Sequence, residues 1–195
     1  MEIYNVWAAG RNYKEHAVEM KAPLPQKPVF FLKPGSAVTR TPTIQLPSWT
    51  EEVHHELEIV LQFNETLRIQ AWGLALDLTE RKIQDQLKEK KLPWTLSKCF
   101  TGSCPISNLQ PLKSLSELEN IDFELKINDQ MRQKGNTSDM IFSFTELTQY
   151  ATEHFPVKPN DLLLTGTPSG VGKIQAKDHL KAFVNGKLFF EWLVA

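Results

Sequence analysis

The stretch His54-His55-Glu56-Leu57-Glu58-Ile59-Val60-Leu61 sets two carboxylates into an otherwise apolar run. On a β-strand, residues two apart share a face and lie about 7 Å apart along the backbone. Glu56 and Glu58 then project together, with Leu57 and Ile59 pointing the other way. Side-by-side carboxylates in an apolar strand repel each other and lose solvation. They stay charged only with a cation or cationic side chains between them. Asp77 closes a second apolar strand, Trp72-Gly73-Leu74-Ala75-Leu76-Asp77. Three oxygen donors of this kind suit Mg²⁺ or Mn²⁺, with water or substrate in the open positions. A solvated outer face presents the same Glu-x-Glu alternation, so the motif alone leaves both readings open. His55 is out of phase with the two glutamates and His54 lies at the strand's edge, which places both outside the ligand set.

Three further constellations carry chemistry. His16 and Glu19, three apart in a short helical stretch, share a face and can hydrogen-bond. A carboxylate on an imidazole raises its basicity and fixes its tautomer, as a general base requires, although a solvated surface pair has the same spacing. Leu164-Thr165-Gly166-Thr167-Pro168-Ser169-Gly170-Val171-Gly172 follows a buried strand, and its backbone N–H groups and hydroxyls could hold an anion. It lacks the Gly-Lys-Ser/Thr ending of a P-loop. Lys98, between Pro93-Trp94 and Cys99-Phe100, reads as a surface charge or as a counterion for a substrate carboxylate.

These residues need a frame of strands. Ile3 to Ala9 reads as an opening strand, followed by Gly10 and a helical stretch from Tyr13 to Lys21. Six prolines (Pro23, Pro25, Pro28, Pro34, Pro42, Pro47) around Val29-Phe30-Phe31-Leu32 mean loop, short strand, loop. Val53 to Phe63 and Trp72 to Leu78 alternate as strands, and Glu80 to Lys91 is a helix with Pro93 just beyond its end. Phe123–Asn128 and Gln130–Gln133 flank a hairpin turn, and Phe144–His154 is a helix. Asp161–Thr165 is a buried strand, and His179–Val184 with Leu188–Leu193 forms a terminal hairpin. Strands outnumber helices, so the expectation is an α+β fold that is mainly β, with a mixed or antiparallel sheet, in one domain over residues 1–195.

Composition narrows the function classes. With 22 basic against 23 acidic residues and a net charge of -1, the chain has no electrostatic footprint for nucleic acid or an anionic membrane. No apolar run approaches the length of a membrane span, and the first residues lack a signal-peptide layout, so a cytoplasmic location is expected. Cys99 and Cys104 fit no zinc spacing and are read as packing residues.

Read in order, the motifs resemble the fumarylacetoacetate hydrolase family, in particular its small acylpyruvate hydrolase and oxaloacetate decarboxylase branch. The matching residues are Gly10-Arg11-Asn12-Tyr13 with His16 and Glu19, and Phe31-Leu32-Lys33-Pro34. They continue through His54-His55-Glu56-Leu57-Glu58, Leu76-Asp77-Leu78-Thr79 with Arg81 and Gln84, and Leu92-Pro93-Trp94-Thr95. Lys98 with Phe100, Cys104-Pro105 and Leu164 through Gly172 complete the set. The resemblance implies a rolled mixed β-sheet core with few helices, and a homodimer. It implies Mg²⁺ or Mn²⁺ on Glu56, Glu58 and Asp77, and a lid over residues 11 to 22 carrying His16 and Glu19. It implies that Lys98 acts beside that pair in catalysis. Arg11, Tyr13, Arg81, Gln84, Thr165, Gly166 and Thr167 are implied as substrate contacts. One departure stands out: the family has a longer, helix-containing connection where Asn64 to Gln70 crosses directly to the second strand.

The chemistry so implied is enolate chemistry on a 2-oxo or 2,4-dioxo acid beside a divalent cation: hydrolytic C–C cleavage of acylpyruvates, decarboxylation of oxaloacetate, or both. Oxaloacetate tautomerisation is the competing enzyme reading, and a 2-oxo-acid-binding protein without catalysis ranks third.

Overall fold

The computed structural model describes residues 2–195. Leu57–Phe63 is buried at every position, and so is Leu162–Leu164. Strands buried along their whole length are covered on both faces, and the two lie side by side inside a six-stranded sheet. Its order is Gln110–Pro111, Ile69–Leu76, Leu57–Phe63, Leu162–Leu164, Asn5–Gly10, Val29–Pro34. Asn5–Gly10 runs parallel to Leu162–Leu164, and the other neighbours are antiparallel. Alternation divides the strands' side chains between two cores. Leu57, Ile59, Leu61 and Leu163 enter the larger one, whereas Val60, Leu162 and Leu164 pack with Val6, Ala8 and Ile106 in the smaller. The proline-bordered run Val29–Pro34 lies at the sheet's edge, where Pro34 is tolerated.

A five-stranded sheet joins Gln130–Asn136, Asp122–Ile127, His179–Val184, Lys187–Val194 and Thr43–Ile44 in that order. The Phe144–His154 helix begins at a reciprocal Ser143/Glu146 capping box and buries Phe144, Leu147 and Ala151 in the larger core. With four α-helices among the described residues, the fold is the mainly β, mixed-sheet architecture expected. No helix among the described residues is long and apolar enough to cross a membrane.

Three expectations need correction. Val53 to Phe63 is two strands rather than one. Val53–His55 pairs with Thr79–Glu80 and Gly172–Lys173, while Leu57–Phe63 pairs with Ile69–Leu76. The chain changes pairing partners at Glu56. The second strand starts at Ile69 and stops at Leu76, leaving Asp77 just past its end. Thr95–Lys98 is a short helix that was not anticipated; four residues are too few for apolar periodicity to register.

Candidate metal centre and its pocket

The hairpin of Leu57–Phe63 and Ile69–Leu76 decides where the acids meet. Its turn is closed by Asn64, whose Oδ1 accepts from the backbone N–H of Thr66 and Arg68, both at 2.9 Å. Leu57 pairs with Leu76, so Asp77 emerges opposite Glu56, and its backbone N–H donates to the Glu56 carbonyl at 2.9 Å. The direct crossing therefore builds the site without a helix. Glu56, Glu58 and Asp77 are all buried, and one oxygen of each lies within 4.8 Å of the others.

Three cations surround this cluster, unevenly. Lys98 Nζ donates to Glu56 Oε2 at 2.8 Å and to Asp77 Oδ2. Arg81 donates to Glu56 Oε1, and its other terminal nitrogen to Gln84 Oε1 at 2.6 Å. Lys33, wholly buried, places Nζ 2.8 Å from Asp77 Oδ1 while donating to the carbonyls of Leu78, Lys98 and Ser103. The Lys33–Asp77 contact is ionic; Asp77 Oδ1 lacks a hydrogen bond of proper direction. Burial would push Glu56 up, but Lys98 and Arg81 outweigh it and hold the carboxyl well below its ordinary range. Burial likewise works against the charge on Lys98, which Asp77 and Glu56 restore and raise.

Glu58 is different. Burial, then Asp77 and Glu56, push it well above the usual carboxylate range. Its direct support is the Gly166 backbone N–H, 2.6 Å from Oε2. Cations and acids are equal in number but not in place, since all three cations sit against Glu56 and Asp77. A hard cation beside Glu58 would supply the missing charge. The lone pairs that Glu56 and Asp77 keep beyond their lysine and arginine bonds complete an oxygen donor set, so the residues present fit Mg²⁺ or Mn²⁺. Lys98 is not a surface charge: it is buried, pairs with Glu56 and Asp77, and lines the cavity with them.

The glycine turn does hold anions, but they are carboxylates of the protein. Gly166 serves Glu58, and the Gly170 N–H donates to Glu19 Oε1 at 3.0 Å. Both glycines have positive φ, and a Cβ on either would collide, with Asn12 Cβ at 2.6 Å or the Arg132 carbonyl at 2.2 Å. Thr165 donates its hydroxyl to the Ile59 carbonyl and is wholly buried, so neither it nor the engaged Gly166 N–H is open to a ligand. Of these three expected substrate contacts, only Thr167 lines the pocket.

Arg11, His16, Met20, Lys21 and Ala22 line, together with the three acids, a cavity of about 360 Å³. The Lys14–Glu19 helix is pinned at Glu19 by Gly170 and brings His16 Nδ1 to 3.2 Å from Glu19 Oε2. His16 is buried and lines the same cavity as the acids, along with Arg11, Arg81, Gln84 and Lys98. Tyr13 does not line it. Its hydroxyl is buried without a partner and its ring packs edge-on against Phe123, so the geometry does not support it as a substrate contact.

A family model described as the C-terminal domain of fumarylacetoacetate (FAA) hydrolase matches residues 5–189. The chain belongs to the fumarylacetoacetate hydrolase family. Among its relatives, the mitochondrial oxaloacetate tautomerase FAHD1 of Bos taurus is 37% identical, over 97% of this chain and 91% of that protein. The mitochondrial oxaloacetate decarboxylase of Dictyostelium discoideum is also 37% identical, over 92% and 88%. The solved fumarylpyruvate hydrolase of Pseudomonas aeruginosa, in complex with Mn²⁺ and pyruvate, superposes with a TM-score of 0.90 at 28% identity, covering 99% of this chain and 90% of that one.

Within this family frame, two buried residues that support the site were not singled out from the sequence. Lys33 is one. Gln133 is the other: its Oε1 accepts from Leu57 N–H, between the two glutamates, and from His55 Nδ1 at 2.8 Å. Its Nε2 donates to Thr167 Oγ1 and the Pro168 carbonyl. No local motif marks it, because it arrives from the other sheet. His55 binds Gln133, and burial depresses its pKa from 6.5 to about 4, against the opposing bond to that glutamine. An unfolded chain binds this proton below about pH 6.5, whereas the folded chain refuses it until about pH 4. Stability present above pH 6.5 is therefore lost as pH falls through this window, by about 3 kcal/mol. His55→Gln is expected to flatten that part of the stability curve in urea titrations between pH 7 and 4.5. A variant as acid-sensitive as the wild type would place the effect elsewhere.

Proposed function

We propose that this chain is a Mg²⁺- or Mn²⁺-dependent enzyme acting on small 2-oxo acids by enolate chemistry, with hydrolytic or decarboxylating C–C cleavage as the leading reading. The observation that carries it is a buried acid cluster, with Glu58 short of a counterion, sharing one cavity with an oriented His16–Glu19 pair. The named activities of the relatives, and the Mn²⁺ and pyruvate in the structural neighbour, support it. When bound, the cation would polarise the 2-oxo group and offset negative charge developing there.

The chain's own residues do the rest. Lys98 and Arg81 fix the Glu56 carboxylate from two sides, and Lys98 with Lys33 does the same for Asp77. With His16 Nδ1–H directed at Glu19, Nε2 keeps its lone pair for a proton. In acylpyruvate hydrolysis His16 takes a proton from a water as the water attacks the distal carbonyl, the C3–C4 bonding pair passes to C3 of the departing pyruvate unit, and His16 returns its proton there. The docked 11–22 segment excludes bulk water meanwhile. A second reading, oxaloacetate tautomerisation, is favoured by the names of several relatives and uses the same base: His16 takes the proton of the enol 2-hydroxyl and returns it to C3, giving the keto form.

The test is turnover with Mg²⁺ on acetylpyruvate and on both tautomers of oxaloacetate, reading pyruvate, CO₂ and enol absorbance separately. Wild-type release of pyruvate is the expected result, and enol decay without it would select tautomerisation. His16→Ala is expected to lower acetylpyruvate hydrolysis about 10²- to 10⁴-fold and decarboxylation far less, since only hydrolysis requires an activated water. Equal losses would assign His16 to seating the segment above the pocket.

A further inference from the structure

Asn12 is almost wholly buried, four residues before His16, and both polar atoms of its carboxamide have partners. Those partners settle which end of the amide is which. The Phe142 N–H can only donate and lies 2.7 Å from Oδ1, while the carbonyls of Phe142 and Thr165 can only accept and lie 2.9 Å from Nδ2. The Asn12 carbonyl also accepts from the Ile141 N–H at 2.8 Å. Both side-chain amide protons are therefore engaged, and neither is left for a ligand.

One of these bonds leads to the acid cluster. The carbonyl of Thr165 and the N–H of Gly166 belong to a single peptide unit. Asn12 holds that unit at its oxygen, and the N–H on its other edge donates to Glu58 Oε2 at 2.6 Å. Thr165 itself is fixed independently, since its N–H and hydroxyl both donate to the Ile59 carbonyl. The peptide that follows has more freedom, because glycine, here at φ +97°, tolerates many orientations of the plane. Asn12 removes that freedom, and its Cβ stands where a side chain on Gly166 would have to go. Linked hydrogen bonds also polarise one another, so a donor on the carbonyl strengthens the N–H opposite.

We infer that Asn12 is a positioning residue for cation binding, which aims Glu58 through the Thr165–Gly166 peptide and joins it to the segment that carries His16. This role rests on the reading of the three acids as a metal site. Without the Asn12 amide, the buried Thr165 carbonyl loses its donor. The peptide then turns to find another, and takes the N–H away from Glu58.

Adding Mg²⁺ to ¹⁵N-labelled full-length protein is expected to move the Gly166 amide and the Asn12 side-chain amide signals together, since both lie on one line of bonds to Glu58. Asn12→Ala is expected to speed exchange of the Gly166 amide with D₂O and to leave the Gly170 amide, which binds Glu19, as it was. It should also raise the Kd for Mn²⁺ about ten- to hundredfold, as the loss of a ligand's supporting partner does. An unchanged Gly166 amide, or an unchanged Mn²⁺ affinity, would overturn the role and leave the metal reading standing. So would a Gly170 amide that loosens as much as Gly166, because the variant would then have lost only the seating of its helix. Should Asn12→Ala fail to fold, the wild-type spectrum decides: Asn12 signals that stay in place while Mg²⁺ moves Gly166 overturn the link. A wild type that takes up neither cation overturns the metal reading and this role with it.

Discussion

Glu58→Gln is expected to leave the cation-free protein at least as stable as the wild type at neutral pH and to weaken Mn²⁺ binding by at least about a hundredfold, the upper end of what losing a mere supporting partner costs. Without a cation, Glu58 is the one acid of the three with no ammonium or guanidinium against it, and burial with Asp77 and Glu56 drives its pKa up. A carboxyl whose folded pKa is raised contributes stability below the ordinary carboxylate range and loses it as pH climbs toward the folded value. Glutamine has the same shape, cannot ionise and can still accept the Gly166 N–H through its amide oxygen, so the variant should not share that loss. The stability gap in EDTA should widen in the variant's favour as pH rises from about 4.5. In the wild type, cation binding must expel the Glu58 proton, so apparent affinity should rise with pH by up to about tenfold per unit in the same window. The variant's affinity should be weak and flatter. Thermal melts in EDTA and Mn²⁺ titrations at three pH values read both effects. A variant that melts many degrees lower without metal, or binds Mn²⁺ like the wild type, would sink the assignment of Glu58 as the acid that needs the cation.

The sequence carried much of this because the decisive signals were local. Glu56-Leu57-Glu58 and the Asp77 that ends an apolar run are each visible within ten residues, and the hairpin between them needs only the short turn at Asn64 to bring them together. His16 and Glu19 fall on one helical face for the same reason. What stayed hidden was long-range or counter to pattern. The break at Glu56 arises because two sheets meet there, which no alternation within residues 53–63 could reveal. Gln133 enters from the five-stranded sheet to bind the backbone between the glutamates, 76 residues away in sequence. Tyr13 and Thr165 carry the right residue types in matching positions, but the tyrosine faces the core and the threonine hydroxyl is engaged by Ile59. Lys98 was recognised and its partner was not. A lysine between two aromatic-rich turns gives no hint that its Nζ donates to two acids 21 and 42 residues earlier in the chain.

Lys33 offers the largest expected effect on stability, and its role follows from how few of its alternatives are wet. An ammonium with no exposed surface persists only if every proton meets an acceptor and a negative charge stands close. Lys33 has the carbonyls of Leu78, Lys98 and Ser103, the Ser103 hydroxyl at 3.2 Å, and Asp77 Oδ1 at 2.8 Å. It ties the Val29–Pro34 edge strand to the chain on either side of Lys98 and to the acid that closes the hairpin. Lys33→Met keeps the stem's volume, removes the charge and strands these acceptors. Deleting one partner of a buried pair costs about 3–5 kcal/mol, which for a chain of this size lowers the melting temperature by about 10 °C. Asp77→Asn placed on top should recover part of that loss, because the carboxylate then no longer needs the missing ammonium. The two single substitutions should thus combine less than additively in a double-mutant cycle. A Lys33→Met protein melting within about 3 °C of the wild type, or strict additivity with Asp77→Asn, would show that the buried ammonium is not what neutralises Asp77, and the unequal division of cations that leaves Glu58 short would lose its basis.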